Sequence, residues 1–162
     1  MTIKNEKSIK EEQVEELRGH LEHRATWFYF LVEEACNHGL EMEDFARTAI
    51  GKVGEFHGDN KLVDTDSLEE FAENFLSENV RKIFEMDVEI KGNQLIVDFH
   101  YCPLVAAWMK HTDDEDKIDV MCDIAMEGDR GIISTYDKFN YDLQKTIASG
   151  DEFCRLVITK RE

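Results

Sequence analysis

Four side chains in the C-terminal half have the types and spacing for chemistry. Cys102 directly precedes Pro103, which places it at or near the N-cap of a helix. The unpaired N–H groups there favour negative charge and lower a thiol pKa. His100 lies two residues upstream, on the same face if the strand persists. A cysteine beside a histidine is the minimal set for nucleophilic catalysis. The spacing alone is not specific, and a cysteine is often simply core. Cys122 falls inside the apolar stripe of its own helix. Asp129, seven residues on, returns to nearly that face, whereas Asp123 and Glu127 fall on the solvent side. Asp129 is thus an acid that can enter a pocket if the helix survives Gly128; otherwise it is a turn residue between Gly128 and Gly131.

Cys154 opens the last strand. With His100, Cys102 and Cys122 it makes a possible Cys₃His zinc site. Structural zinc sites usually carry close cysteine pairs, which are missing, so three buried thiols lining a pocket is the larger alternative. His20 and His23 read as a solvated pair, and Cys36 as core. His38, His57 and His111 sit near expected helix ends, where a cationic ring suits the helix dipole.

The elements that must position these groups follow from periodicity. Residues 8–38 read as one helix, with Val14, Leu17, Leu21, Phe28, Leu31 and Ala35 stepping by three and four. Arg24 breaks that seam and Gly39 is a natural stop. Its N-terminal third is expected to be solvated or to pair with a second copy, and the turn from Trp27 to Phe30 to be buried. A second helix is expected over about 41–56, ending at His57-Gly58-Asp59-Asn60. A capping box at Asp66–Glu69 opens a third, with Leu68, Phe71, Ala72, Phe75 and Leu76 inward. The period then switches to two: Val88, Ile90, Leu95, Val97 and Phe99 alternate around Lys91-Gly92-Asn93, a hairpin. A short helix from Pro103 to Trp108 follows, then a capped helix opening at Thr112–Glu115. The acidic run there suits a helix N-terminus better than a metal site. Phe139, Tyr141 and Leu143, then Cys154, Leu156 and Ile158, form a second hairpin around Ser149-Gly150-Asp151. The expectation is α+β: a four-stranded antiparallel sheet from two hairpins, packed with helices and preceded by a helical half, residues 1–83.

Size and charge bound the rest. The 162 residues suit one domain, 1–162. A formal net charge of −17 with no Lys/Arg cluster argues against nucleic acid and against anionic lipid. Residues 1–13 lack an apolar core, so no signal peptide is expected, and no apolar run is long enough to span a bilayer. Four cysteines without a C-x-x-C pair read as free thiols of a cytoplasmic chain.

Three ordered blocks carry a family resemblance: His100-Tyr101-Cys102-Pro103-Leu104-Val105; Cys122-Asp123-Ile124-Ala125 followed by Gly128-Asp129; and Lys145-Thr146-Ile147-Ala148-Ser149-Gly150-Asp151 with Cys154. Over roughly Phe84 to Lys160 the chain resembles the L-2-amino-thiazoline-4-carboxylic acid hydrolase family. It is more distantly similar to vinyl-reductase-type sensor domains. The resemblance implies hydrolytic opening of a small cyclic amidine at a C–N bond, giving a carbamoyl-cysteine. It implies Cys102 as nucleophile, His100 as proton shuttle and Asp129 as second acid, with Cys122 and Cys154 against the substrate. A carboxylate substrate wants a cation, for which Arg130 and Arg155 are nearest in sequence. Zinc or another transition metal on Cys102, Cys122, Cys154 and His100 is the alternative chemistry. A ligand or metal sensor without catalysis is the alternative function. A homo-oligomer through the long first helix is expected.

Overall fold

Two hairpins build the sheet. In the computed structural model, which describes residues 2–61 and 63–162, β1 (Met86–Lys91) and β2 (Gln94–Phe99) pair antiparallel. They close through Gly92 and Asn93, with Gly92 at φ +60°, a conformation that strains any residue bearing a Cβ. β3 (Phe139–Lys145) pairs antiparallel with β4 (Cys154–Lys160). β2 then pairs with β4, giving the order β1-β2-β4-β3. Leu95 lies opposite Ile158, Val97 opposite Leu156 and Phe99 opposite Cys154. All six are buried, so this face is the floor of the core.

Helices cover that floor. They are α1 (Glu12–Asn37), α2 (Met42–Lys61), α3 (Leu68–Phe75), α4 (Glu78–Ile83), α5 (Pro103–Trp108), α6 (Glu115–Ala125) and α7 (Glu127–Ser134). Helix starts are local events, and the caps of α3 and α6 fall at Ser67 and Asp114, one and two residues beyond the Asp66 and Thr112 acceptors expected from the sequence. Ser67 Oγ accepts from the Glu70 N–H and Asp114 Oδ1 from the Lys117 N–H, at 3.3 and 3.0 Å. Cys102 is the N-cap of α5, with Pro103 at its first position. Gly39 closes α1 at φ +84°, its N–H donating to the Cys36 carbonyl. The architecture is α+β, as expected. No helix among the described residues is long and apolar enough to cross a membrane.

Several expectations are corrected. α1 starts at Glu12 rather than 8. The residues before it form an extended strap: Thr2 and Ile3 bond the Glu115 carboxylate, Asn5 bonds both backbone groups of Cys102, and Ser8 and Ile9 bond Glu85. The N-terminal part of α1 is neither frayed nor free, because Val14 and Arg18 are buried there. In the aromatic turn only Tyr29 is buried and Phe28 half-buried; Trp27, Phe30 and Leu31 are 63%, 55% and 65% exposed. Four consecutive apolar residues point all round a helix, and only one side of α1 has neighbours. Cys36, read as core, is exposed on the last turn.

The second helix does not end at His57-Gly58-Asp59-Asn60 but runs on to residue 61. Its glycines serve packing. A Cβ on Gly54 would overlap the Gly128 carbonyl oxygen and lie 2.9 Å from the Gly131 Cα. A Cβ on Gly131 would overlap the Gly51 carbonyl and lie 2.9 Å from the Glu55 nitrogen. α2 and α7 thus pack backbone to backbone, and that contact holds α7 as a third helix between the hairpins where two were expected.

Gly54→Ala should therefore lower the unfolding free energy by about 3 kcal/mol or prevent folding, since the backbone cannot give way as a side chain would. Gly51→Ala, whose Cβ meets nothing within 4 Å, should raise it by about 0.5–1 kcal/mol. Urea unfolding of both variants checks the contrast.

Candidate functional site

A cavity of about 320 Å³ lies between the inner face of the sheet and the helices. A second, of about 250 Å³, lies between α1, α2 and α7. Arg24, Leu104, Trp108, Ala125 and Asp129 line both, so they form a shared wall. Trp108 is pinned there by its Nε1–H, which donates to the Ala25 carbonyl at 3.1 Å. The first volume sits at the small end of ligand pockets, roughly 300–1,000 Å³.

Three cysteines from three elements meet in the first cavity: Cys102 from the start of α5, Cys122 from α6 and Cys154 from the start of β4. Burial decides their chemistry. It raises the Cys102 thiol against the N–H groups of Val105 and Leu104 and the charge of Arg24, which pull the other way. The expectation of a lowered Cys102 pKa is therefore reversed: desolvation outweighs the helix start. Burial also pushes Cys154 to about 12 and Cys122 well above the usual thiol range. The Cys154 Sγ accepts from the Ile147 N–H at 3.2 Å.

Asp129 is the acid of the site. Its helix restarts after the Met126 cap, so the seven-residue return to the Cys122 face holds. Desolvation pushes its carboxyl up to about 6, against the charges of Arg130 and Arg24. Asp123 points away and pairs with Arg130 and Arg47, at 2.7 and 2.8 Å. The Tyr141 hydroxyl, on β3, is buried without a partner among the described residues. Burial raises its pKa first and the charge of Asp129 second.

The other candidates lie elsewhere. His100 is exposed, with Nε2 2.8 Å from Asp87 Oδ2 and its ring against Phe153. The strand ends at Phe99, so the two-residue alternation that would align His100 with Cys102 is broken. Arg130 is bound by Asp123 and Glu127, and Arg155 pairs with Asp98 across the β2–β4 register at 2.6 Å. Neither lines the cavity. Among the described residues no three His, Cys, Asp or Glu side chains are grouped to hold a metal ion, so the Cys₃His set does not fit zinc. His20 and His23 are exposed on α1. His38 Nδ1 is 2.9 Å from the Glu34 carbonyl at the end of α1, and His111 stacks on Tyr29. His57, inside α2, lines the second cavity.

Arg24 is the cation that sequence neighbours did not offer. The chain has seven arginines. Arg18, Arg47, Arg81, Arg130, Arg155 and Arg161 each bond a carbonyl or carboxylate. Among the described residues Arg24 has no such partner; it is exposed and stands at the wall shared by both cavities. Its only signal in the sequence is the break it makes in the apolar seam of α1.

Fold and site together define an α+β protein with a helix-roofed, thiol-lined cavity. The family model for L-2-amino-thiazoline-4-carboxylic acid hydrolase matches residues 18–158, and the chain belongs to that family. The match takes in Arg24 as well as the three cysteine blocks. No curated protein matches the chain in sequence. Among solved structures it is similar to a trafficking protein particle complex subunit 3 from Naegleria fowleri, described as covalently bound to palmitic acid. The TM-score is 0.53 at 12% identity, over 86% of this chain and 96% of that one, which is a likeness of fold.

Asp129 also supplies a stability test. Its folded pKa, about 6, lies above the roughly 3.9 of an unfolded aspartate, so ionising it penalises the folded state as pH rises between the two. Asp129→Asn should stabilise the protein at pH 7 by on the order of 2 kcal/mol and leave it unchanged at pH 4 or below. Denaturant titrations at both pH values check this.

Proposed function

We propose that this protein hydrolyses a small cyclic amidine carboxylate of the thiazoline-carboxylate type, opening the ring at a C–N bond. One observation carries the reading: Arg24 and Asp129, both without partners among the described residues, share one cavity wall. A ring bearing a carboxylate and a basic amidine has the complementary charges. Arg24 takes the carboxylate through charge-assisted hydrogen bonds. Asp129, mostly ionised at pH 7, faces the amidine carbon and takes a proton from water as that water adds there. The proton passes to the ring nitrogen, the ring C–N bond breaks, and one water has been consumed. The product keeps a carbamoyl group on sulfur and a free amine.

Family membership supports the reaction class. Burial, which keeps the Cys102 thiol protonated, favours water over the thiol as nucleophile. A second reading, a ligand-holding module without catalysis, draws on the same un-ionised thiols. Four free cysteines suit a reducing compartment, and we assign the protein to the cytoplasm on that ground.

The decisive assay incubates the purified protein with L-2-amino-thiazoline-4-carboxylate and follows gain of one water by mass spectrometry. Turnover should have an acid limb near pH 6. Asp129→Asn should lower kcat by about 10²–10⁴, and Arg24→Met should raise KM by about 10–100-fold. Cys102→Ser should cost less than about tenfold if water attacks, and abolish turnover if the thiol does. Binding without product would leave the ligand-holding module.

We further infer that the exposed Trp27, Phe30 and Leu31 of α1 meet a second copy of the chain, since such aromatic patches mark interfaces. Sedimentation should find a dimer, and the double variant Trp27→Glu with Leu31→Glu should be a monomer.

A further inference from the structure

The first cavity has two chemically distinct sides. The wall shared with the second cavity carries both of its charged groups, Arg24 and Asp129. The part that is not shared runs past the three thiols to Phe75, Leu76, Val80, Phe84, Met86 and Phe99. These come from the end of α3, from α4 and its cap, and from the first hairpin. None of the six offers a polar side-chain atom, so a ligand's polar group placed there would lose its water without replacement. A bare ring carboxylate has polar atoms on nearly every side and uses only the charged wall.

We propose that the natural substrate carries an apolar substituent several carbons long, seated among Phe75, Leu76, Val80, Phe84, Met86 and Phe99 while its carboxylate rests on Arg24. The ligand class is an amphipathic carboxylate, with an alkyl or aryl group on the side away from the charge. This deepens the hydrolase reading and rests on its assignment of Arg24 as the carboxylate anchor. Each methylene moved from water into the arm strengthens binding by about fourfold. Selectivity among ring carboxylates then follows the fit of the substituent, and Arg24 and Asp129 fix only the orientation of the head.

Isothermal titration calorimetry on the whole protein tests this with acetate, butanoate, hexanoate, octanoate and, as the uncharged control, octanol. Affinity should climb about fourfold per added CH₂ from butanoate to octanoate. Octanol should bind at least tenfold more weakly than octanoate. Val80→Trp, which fills the arm, should erase the climb and leave butanoate unchanged. Phe84→Ala, which enlarges it, should extend the climb to longer chains and keeps the test open if Val80→Trp does not fold. Arg24→Met should remove the advantage of octanoate over octanol and keep the climb. Affinity that is flat with chain length, absent throughout, or still climbing in Val80→Trp overturns the proposal. The ring-opening assay reports separately: a climb without ring opening sinks the hydrolase reading alone, and full turnover of the bare ring with flat affinities sinks the arm alone.

Discussion

The site depends on how closely α2 and α7 approach. Gly54 faces Gly128 and Gly131, and Gly131 faces Gly51, and neither Gly54 nor Gly131 has room for a Cβ. Each glycine weakens its own helix by about 0.5–1 kcal/mol relative to alanine. Backbone-to-backbone packing offsets that loss and leaves two short-spaced helices locked together. α7 carries Asp129, so this contact sets the depth of the carboxyl in the cavity wall. It also brings α2 near enough for Ile50, Val53 and His57 to close the second cavity. A larger residue at Gly54 would push α7 outward and expose Asp129 to water, and the cause of its raised pKa would go with it.

Two arginines on α1 show how the same side chain is spent on structure or kept for a ligand. Arg18 is almost fully buried, and its guanidinium meets the carbonyls of Ile9, Lys82 and Ile83 and the carboxylates of Glu15 and Glu85. It also lies 4.5 Å over the Tyr101 ring. Every direction of its fork is used, which is what a buried charge requires. Glu85, the only non-glycine residue with a positive φ among those described, is held there between Arg18 and the strap at Ser8 and Ile9. Arg24, nearly two turns on, is exposed at the cavity wall and has no bonded partner among the described residues. Deeper in the cavity the low dielectric keeps three thiols protonated and lets Asp129 titrate near neutrality. The cavity is thus an apolar chamber whose charge is confined to one wall.

The legible parts were those written in a few adjacent residues. Alternation around Gly92 specified the first hairpin, Pro103 and Gly39 marked helix ends, and the runs at 66–69 and 112–115 marked helix starts to within two residues. The inward side of a strand or helix was also legible, which is why Cys102, Cys122, Cys154 and Asp129 were found together. Proximity in sequence misled elsewhere. Arg130 follows Asp129 but sits about 100° round the helix, where Asp123 and Glu127 take it. Arg155 follows Cys154 but points to the opposite face of the strand, onto Asp98. His100 lies beyond the end of β2, where the chain turns and alternation stops.

By itself the sequence determined the two hairpins, the α+β class and the inward placement of Cys122 and Cys154, because periodicity and capping act within one element. Only the tertiary structure decided that the glycines of α2 are a packing seam rather than a break, that Arg24 rather than Arg130 or Arg155 lines the cavity, and that the Cys102 thiol is raised rather than lowered. Each of these turns on what a second element brings within a few ångströms: a facing backbone, the presence or absence of a carboxylate, or the removal of water.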